Sequence, residues 1–226
     1  MHGNFSADFQ LSTAKYRTLG VPEGIKVMKY GPAKNPEYVQ SFFEGYLWNS
    51  TKENDSTLTN KMMASKECLV ITGEVPDTSN LNFLRDVVGL ITCMLDYGGV
   101  SVYDPQGFII MGKKEWNEKI FEPNGSVPRN HVMILYSEEN GKAWYHTRGM
   151  RKFGRPDLSI HDVPEKYEAA VQDLFDRFIE YQGFGGIITD GQKIKMKTLP
   201  EGMWCETKGD IEDLDFNNKH VEIYWK

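Results

Sequence analysis

Between residues 146 and 158 the chain reads His-Thr-Arg-Gly-Met-Arg-Lys-Phe-Gly-Arg-Pro-Asp-Leu. Arg148, Arg151, Lys152 and Arg155 thus put four cations into eight residues of a protein whose formal net charge is −6. A guanidinium forks onto a carboxylate or phosphate better than an ammonium does, so Arg148 and Arg155, projecting together from a loop, would hold a small anion. His146 heads the segment with an imidazole that can carry a proton near neutral pH. Asp157 or Glu165 could instead supply the carboxylate from within the chain. If residues 147–153 form a short helix, the i, i+3, i+4 spacing puts Arg148, Arg151 and Lys152 on one face, and Gly154 and Pro156 end it there. Cations at a helix C-terminus are favoured by about 0.3 to 1 kcal/mol each without any ligand, and that end of a helix repels anions. Two readings stand side by side: internal pairing and capping, or a ligand site that Asp104 and Asp157 would join.

Other chemistry is sparser. Asp96, Asp104 and Asp190 could form a carboxylate cluster for acid–base work, although aspartate in turns needs no such role. His131, His146 and His161 recur every fifteen residues, but a metal needs convergent ligands, and sequence spacing alone does not supply convergence. No metal and no cofactor is expected. The phosphate-loop, dinucleotide, nucleophile-elbow and zinc-protease motifs are all missing. The run Gly183-Phe184-Gly185-Gly186 comes after a helix, where phosphate loops precede one. Cys68, Cys93 and Cys205 lie far apart without a Cys-x-x-Cys, which fits a reducing compartment, and Cys93 sits mid-helix as a core residue would.

Periodicity indicates the elements that must position these residues. Asn35 and Pro36 begin a helix whose buried stripe is Val39, Phe42, Phe43, Tyr46 and Leu47. Residues 49–61 are polar and read as an exposed loop. Two stretches, 68–111 and 157–197, can be laid over each other: a short alternating strand, Val-Pro, an amphipathic run, Gly-Gly, and a hairpin around an aspartate. Pro76 to Gly98 spans 22 residues and Pro164 to Gly185 spans 21. In the first, Leu81, Leu84, Val87, Val88, Ile91, Met94 and Leu95 share a helical face that Gly98 terminates. In the second, Ala170, Leu174, Phe178 and Tyr181 do so. Asp104-Pro105-Gln106-Gly107 and Asp190-Gly191 are the two hairpin turns. Between these stretches lie a short helix with Trp116, a loop through Pro123, Gly125 and Pro128, and a hairpin over residues 131–148 with Gly141 at its turn. Strands at 202–206 and 220–225 close the chain. The expectation is an α+β protein, mainly antiparallel sheet with packed helices and two pseudo-repeated β-α-β-β units. It is read as a single domain over 1–226, with segment 1–60 of uncertain packing.

At 226 residues, 40% hydrophobic and 26% charged, the chain has the composition of a folded, soluble protein. The acid excess opposes general nucleic-acid binding. No signal-peptide run and no stretch of about 18 apolar residues stands out, so a cytoplasmic protein with no membrane partner is expected.

Residues 98–108 (Gly-Gly-Val-Ser-Val-Tyr-Asp-Pro-Gln-Gly-Phe), Lys113 to Trp116, and Gly149, Met150, Phe153, Gly154, Pro156, Asp157 and Leu158 together resemble a bacterial family known as a domain of unknown function, the one numbered 4261. The resemblance spans residues 68–200. It implies no catalytic activity that could be carried over, and some similar small bacterial domains stand beside toxins as immunity or accessory proteins. With no catalytic constellation, an acidic surface, and Trp48, Trp144 and Trp225 as candidate exposed aromatics, the first expectation is a non-enzymatic module with a protein partner. The alternative is an enzyme or binding protein for a small anionic ligand at His146, Arg148 and Arg155.

Overall fold

The computed structural model describes residues 15–18, 20–77, 80–123, 125–139 and 141–225. They group into two compact units that part between Ser126 and Val127, inside the loop through Pro123, Gly125 and Pro128. The class is α+β, as expected.

In the N-terminal unit β1 (Ile25–Tyr30) pairs antiparallel with β2 (Cys68–Gly73). Three helices lie between them: α1 (Pro36–Gln40), α2 (Gly45–Asn54) and α3 (Ser56–Met63). The predicted helix through Leu47 breaks at Glu44, where the backbone turns extended, and Gly45 takes φ +83°. That break shifts the helical phase. Trp48 is therefore buried, 5% exposed, while Tyr46 is 78% exposed, which corrects both the predicted stripe and the exposure expected for Trp48. Residues 49–61 are helical rather than a loop. Asp55 separates α2 from α3 and accepts the Leu58 N–H at 2.9 Å, so a polar run is held helical by its cap.

The helix α4 (Asn82–Asp96) buries Leu81, Leu84, Val88 and Leu95, close to the predicted face, and ends on Gly98 with φ +113°. The Gly99 N–H returns to the Met94 carbonyl at 3.0 Å, closing a left-handed helix end. Then come the predicted hairpin, β3 (Ser101–Asp104) and β4 (Ile109–Gly112), and α5 (Lys113–Trp116), which continues as a π turn to Phe121. Trp116 is buried and donates its indole N–H to the Thr92 hydroxyl at 2.9 Å.

The C-terminal unit is built on a five-stranded sheet in the order β5-β6-β7-β9-β8. Its strands are β5 (Met133–Glu139), β6 (Lys142–Arg148), β7 (Asp157–Val163), β8 (Trp204–Lys208) and β9 (His220–Tyr224), antiparallel except where β7 runs beside β9. One face is covered by α6 (Glu168–Gly183). Leu158, Ile160, Val163, Val221 and Ile223 from the sheet meet Val171, Leu174, Phe175 and Ile179 from α6, each at most 2% exposed. Side chains of this kind contribute about 1.5 to 3 kcal/mol each when fully buried. The predicted stripe on α6 is corrected: Tyr181 is half exposed, and Gln182 takes the buried place, donating to the Pro156 carbonyl.

The two stretches that look alike in sequence share a strand and then a helix, and there the likeness ends. No hairpin forms over 187–196. Ile194 and Gly191 donate to the carbonyls of Met203 and Cys205, and Lys193 bridges to Trp204, so this segment lies along β8.

Candidate functional site

Alternation along β6 sends Ala143, Tyr145 and Thr147 to one side, and Trp144, His146 and Arg148 to the face away from α6. Register then sets His146 beside Ser159, Ser159 beside Glu222, and Glu222 beside Glu206 across four strands. Trp144 stacks on His146 at 4.1 Å and on His161 at 4.8 Å, and its indole N–H donates to the Ser159 hydroxyl at 3.1 Å. Over this layer lies the loop between β8 and β9. Its Phe216, 5% exposed, stacks on His220 at 4.1 Å and meets His146 edge-on at 5.5 Å.

The buried groups of the layer are pushed toward neutrality. Burial lowers the His146 imidazole to about 4, helped by the positive charge of Arg148, and lowers His220 in the same sense. Burial raises Glu222, against the Ser159 hydroxyl that hydrogen-bonds it. Ser159 is fully buried and bonded on both sides, so it is not placed as a nucleophile. The arrangement supports the loop through Phe216.

The cationic segment is a strand end and one 3-10 turn, Met150–Phe153, flanked by Gly149 at φ +121° and Gly154 at φ +64°. Arg148 belongs to β6, so it does not share a helical face with Arg151 and Lys152. Its Nη1 donates to the Asp215 carbonyl at 3.0 Å. Arg151 donates to the carbonyls of Asn217 at 2.8 Å and Ile211 at 3.4 Å. Both tie down the β8–β9 loop. Arg155 donates to the carbonyls of Gly154, Gly185 and Gly186 at 2.8, 3.3 and 3.1 Å. Gly185 and Gly186 lie just past the C-terminus of α6, so a cation does cap a helix end, that of the next helix rather than its own. Lys152 is half-buried on the same turn.

Asp157 is fully buried and joins three elements. It accepts from the Thr147 hydroxyl at 2.8 Å, the Met150 N–H at 3.2 Å and the Asn218 amide at 2.8 Å. Burial nonetheless raises its carboxyl to about 6. Asp104 belongs to the N-terminal unit, where its carboxylate accepts the N–H groups of Gln106 and Gly107 in its own turn. Asp96 takes Lys15 and Lys113 at 2.8 and 2.9 Å, which holds its carboxyl well below the usual range. Asp190 accepts the Thr207 N–H. The three aspartates thus serve three separate local structures. Burial pushes the Cys205 thiol up to about 11, as befits a core residue. Among the described residues no group of three or more His, Cys, Asp or Glu is placed to hold a metal, and no helix is long and apolar enough to cross a membrane.

What the cations hold in place is more telling than the cations. Residues 209–218 carry Asp210, Glu212, Asp213 and Asp215 and no Lys, Arg or His. Asp213 accepts the N–H groups of Asp215 and Phe216, and Asp210 that of Glu212. From this braced loop Leu214 stands 94% exposed and Ile211 55% exposed. Periodicity and motif spacing do not single this loop out; the signal that marks it is four acids interleaved with two aliphatics in six residues.

In comparisons with known proteins, no family model, no curated protein and no solved structure matches the chain.

Proposed function

We propose that the protein is a non-enzymatic binding module of the immunity or accessory kind, and that it grips a basic protein partner with the loop of residues 209–218. The observation that carries this reading is Leu214, 94% exposed beside Ile211 in a loop where four acids, Asp210, Glu212, Asp213 and Asp215, fall within six residues. Apolar side chains displayed at that level by a stiffened loop are the kind that anchor interfaces, and carboxylates around them select a positively charged surface and speed encounter. Arg148 and Arg151 support the reading, because their bonds to main-chain carbonyls brace the loop before any partner arrives. The same bonds weigh against a small-anion site at His146, Arg148 and Arg155.

The test places a photo-crosslinking residue at position 214 of the full chain, in cells, beside an Ile211→Asp/Leu214→Asp variant. The expected result is one stoichiometric crosslinked partner of high pI, whose complex weakens with salt and is lost in the double variant. A chain that crosslinks to nothing and turns over a small molecule overturns the proposal.

A further inference from the structure

The α6 side of the C-terminal sheet, opposite the β8–β9 loop, ends in β5. β5 is an edge strand: among the described residues it pairs only with β6, in an unbroken register from Met133 opposite Arg148 to Glu139 opposite Lys142. Edge strands are ordinarily protected by charged side chains, lysine above all, by proline, by a bulge, by shortness or by a covering element. The sequence Met-Ile-Leu-Tyr-Ser-Glu-Glu has no lysine and no proline, the pairing has no bulge, and its charges, Glu138 and Glu139, are acidic and confined to one end.

Beside this edge α6 overhangs a trough of about 400 Å³. Its aromatic wall is the exposed ring of Tyr136, which rests 5.3 Å from the buried ring of Tyr145. Along its helical wall stand Glu168, Gln172 and Asp176, one turn apart. Arg129, which also lines the trough, engages Asp176 at 2.7 Å, and Glu168 is hydrogen-bonded with the Tyr145 hydroxyl. The open ring of Tyr136 next to a carboxylate favours a cation that can lie on the ring face and reach an oxygen.

We infer that β5 accepts an extended segment of a basic protein as a sixth strand, with a lysine or arginine of that segment entering the trough between Tyr136, Tyr145 and Glu168. Side chains of an added strand alternate as those of β5 do, so the residue beside Ile134 or Tyr136 points toward α6 and into the trough. Main-chain pairing supplies sequence-independent affinity, and the trough selects the cation. A second copy of this chain is the wrong occupant, because its β5 carries no cation to offer.

This inference goes beyond the loop reading and is tested apart from it. The probe is the peptide acetyl-Thr-Val-Thr-Arg-Thr-Val-Thr-amide, compared with its citrulline counterpart, which keeps the shape and loses the charge, and with a version N-methylated at alternate residues. Binding to the full chain is measured by calorimetry, and backbone protection by hydrogen exchange. The arginine peptide is expected to bind at least ten times more tightly than the citrulline peptide and to protect amides of residues 133–139. N-methylation is expected to abolish binding. Glu168→Gln, shown folded by circular dichroism, is expected to erase the preference for arginine, while Leu214→Asp leaves binding unchanged. Equal binding of the two peptides, protection absent from 133–139, a Glu168→Gln variant that keeps the preference, or self-association through β5 that the peptide does not compete with would each overturn the inference.

Discussion

The stretches 68–111 and 157–197 begin alike and finish differently, and the aspartate of each turn shows why. Asp104 closes on the N–H groups of its own turn, two and three residues on, and β3 and β4 then pair with each other. Asp190 reaches Thr207, seventeen residues on, and the chain around it is taken up by β8. The first stretch completes itself; the second is completed by strands nearer the C-terminus. Asp157 at its start is tied to Asn218, and Arg155 beside it to Gly186. A turn signal therefore decides a hairpin only where no later strand competes for the same main-chain groups.

The largest expected effect comes from cutting the strongest of those long ties. Asp157→Ala leaves the Met150 N–H and the Asn218 amide buried without their acceptor. It should cost the C-terminal unit about 3 kcal/mol in urea unfolding while the N-terminal unit melts unchanged. Phe216→Ala should cost a similar or slightly smaller amount, about 2 to 3 kcal/mol. It also admits water to His146, whose titration, followed by NMR, is expected to move up from about 4 toward 6.5.

Smaller changes sharpen the contrast between local and distant completion. Asp104→Ala should cost about 1 kcal/mol and raise hydrogen exchange within residues 104–108 alone. Asp190→Ala is expected to raise exchange at Thr207, across the gap in sequence, and to leave its own turn as it was. The opposite pattern in either variant would remove the distinction.

The smallest effect is a near-absence of slope. Asp157 keeps its proton to about 6 when folded and to 3.8 when unfolded, so its contribution is fully present below 3.8 and lost as pH rises through 6. His146 is protonated at 6.5 unfolded and at about 4 folded, so its contribution is full above 6.5 and lost as pH falls through 4. The two oppose each other, and the C-terminal unit should vary little in stability between pH 4 and 6. His146→Gln should leave a stability that falls as pH rises across that window; Asp157→Asn should leave one that rises. Urea titrations at successive pH values read all three.

Much of the fold is legible in the residues. Helix α4 with Gly98, the hairpins β3–β4 and β5–β6, and the helix around Trp116 come from local periodicity and turn chemistry, which a single stretch of chain carries in full. Helix α3 is not legible, because its polar run offers little apolar stripe and relies on the cap from Asp55. Trp48 is misplaced by periodicity because one glycine shifts the phase of everything after it. At the candidate site the cations are visible but their partners are not: main-chain carbonyls carry no side-chain signature, so nothing in residue types announces that Arg148, Arg151 and Arg155 turn inward. The α6 stripe fails for a related reason, since a buried Gln182 satisfied by a carbonyl looks polar to any periodicity count.

Guanidinium groups bonded to main-chain oxygens also behave unlike the surface ion pairs elsewhere in the chain, such as Lys29 with Glu67 or Arg177 with Asp173. Salt screens the attraction between two opposite charges, whereas a guanidinium bonded to a neutral carbonyl has no opposite net charge to be screened from. Added salt is accordingly expected to weaken such ion pairs more than the bonds that Arg148, Arg151 and Arg155 make to the carbonyls of the β8–β9 loop and of the tail of α6. The positive charges of this one segment thus sit in contacts whose strength should vary little with ionic strength.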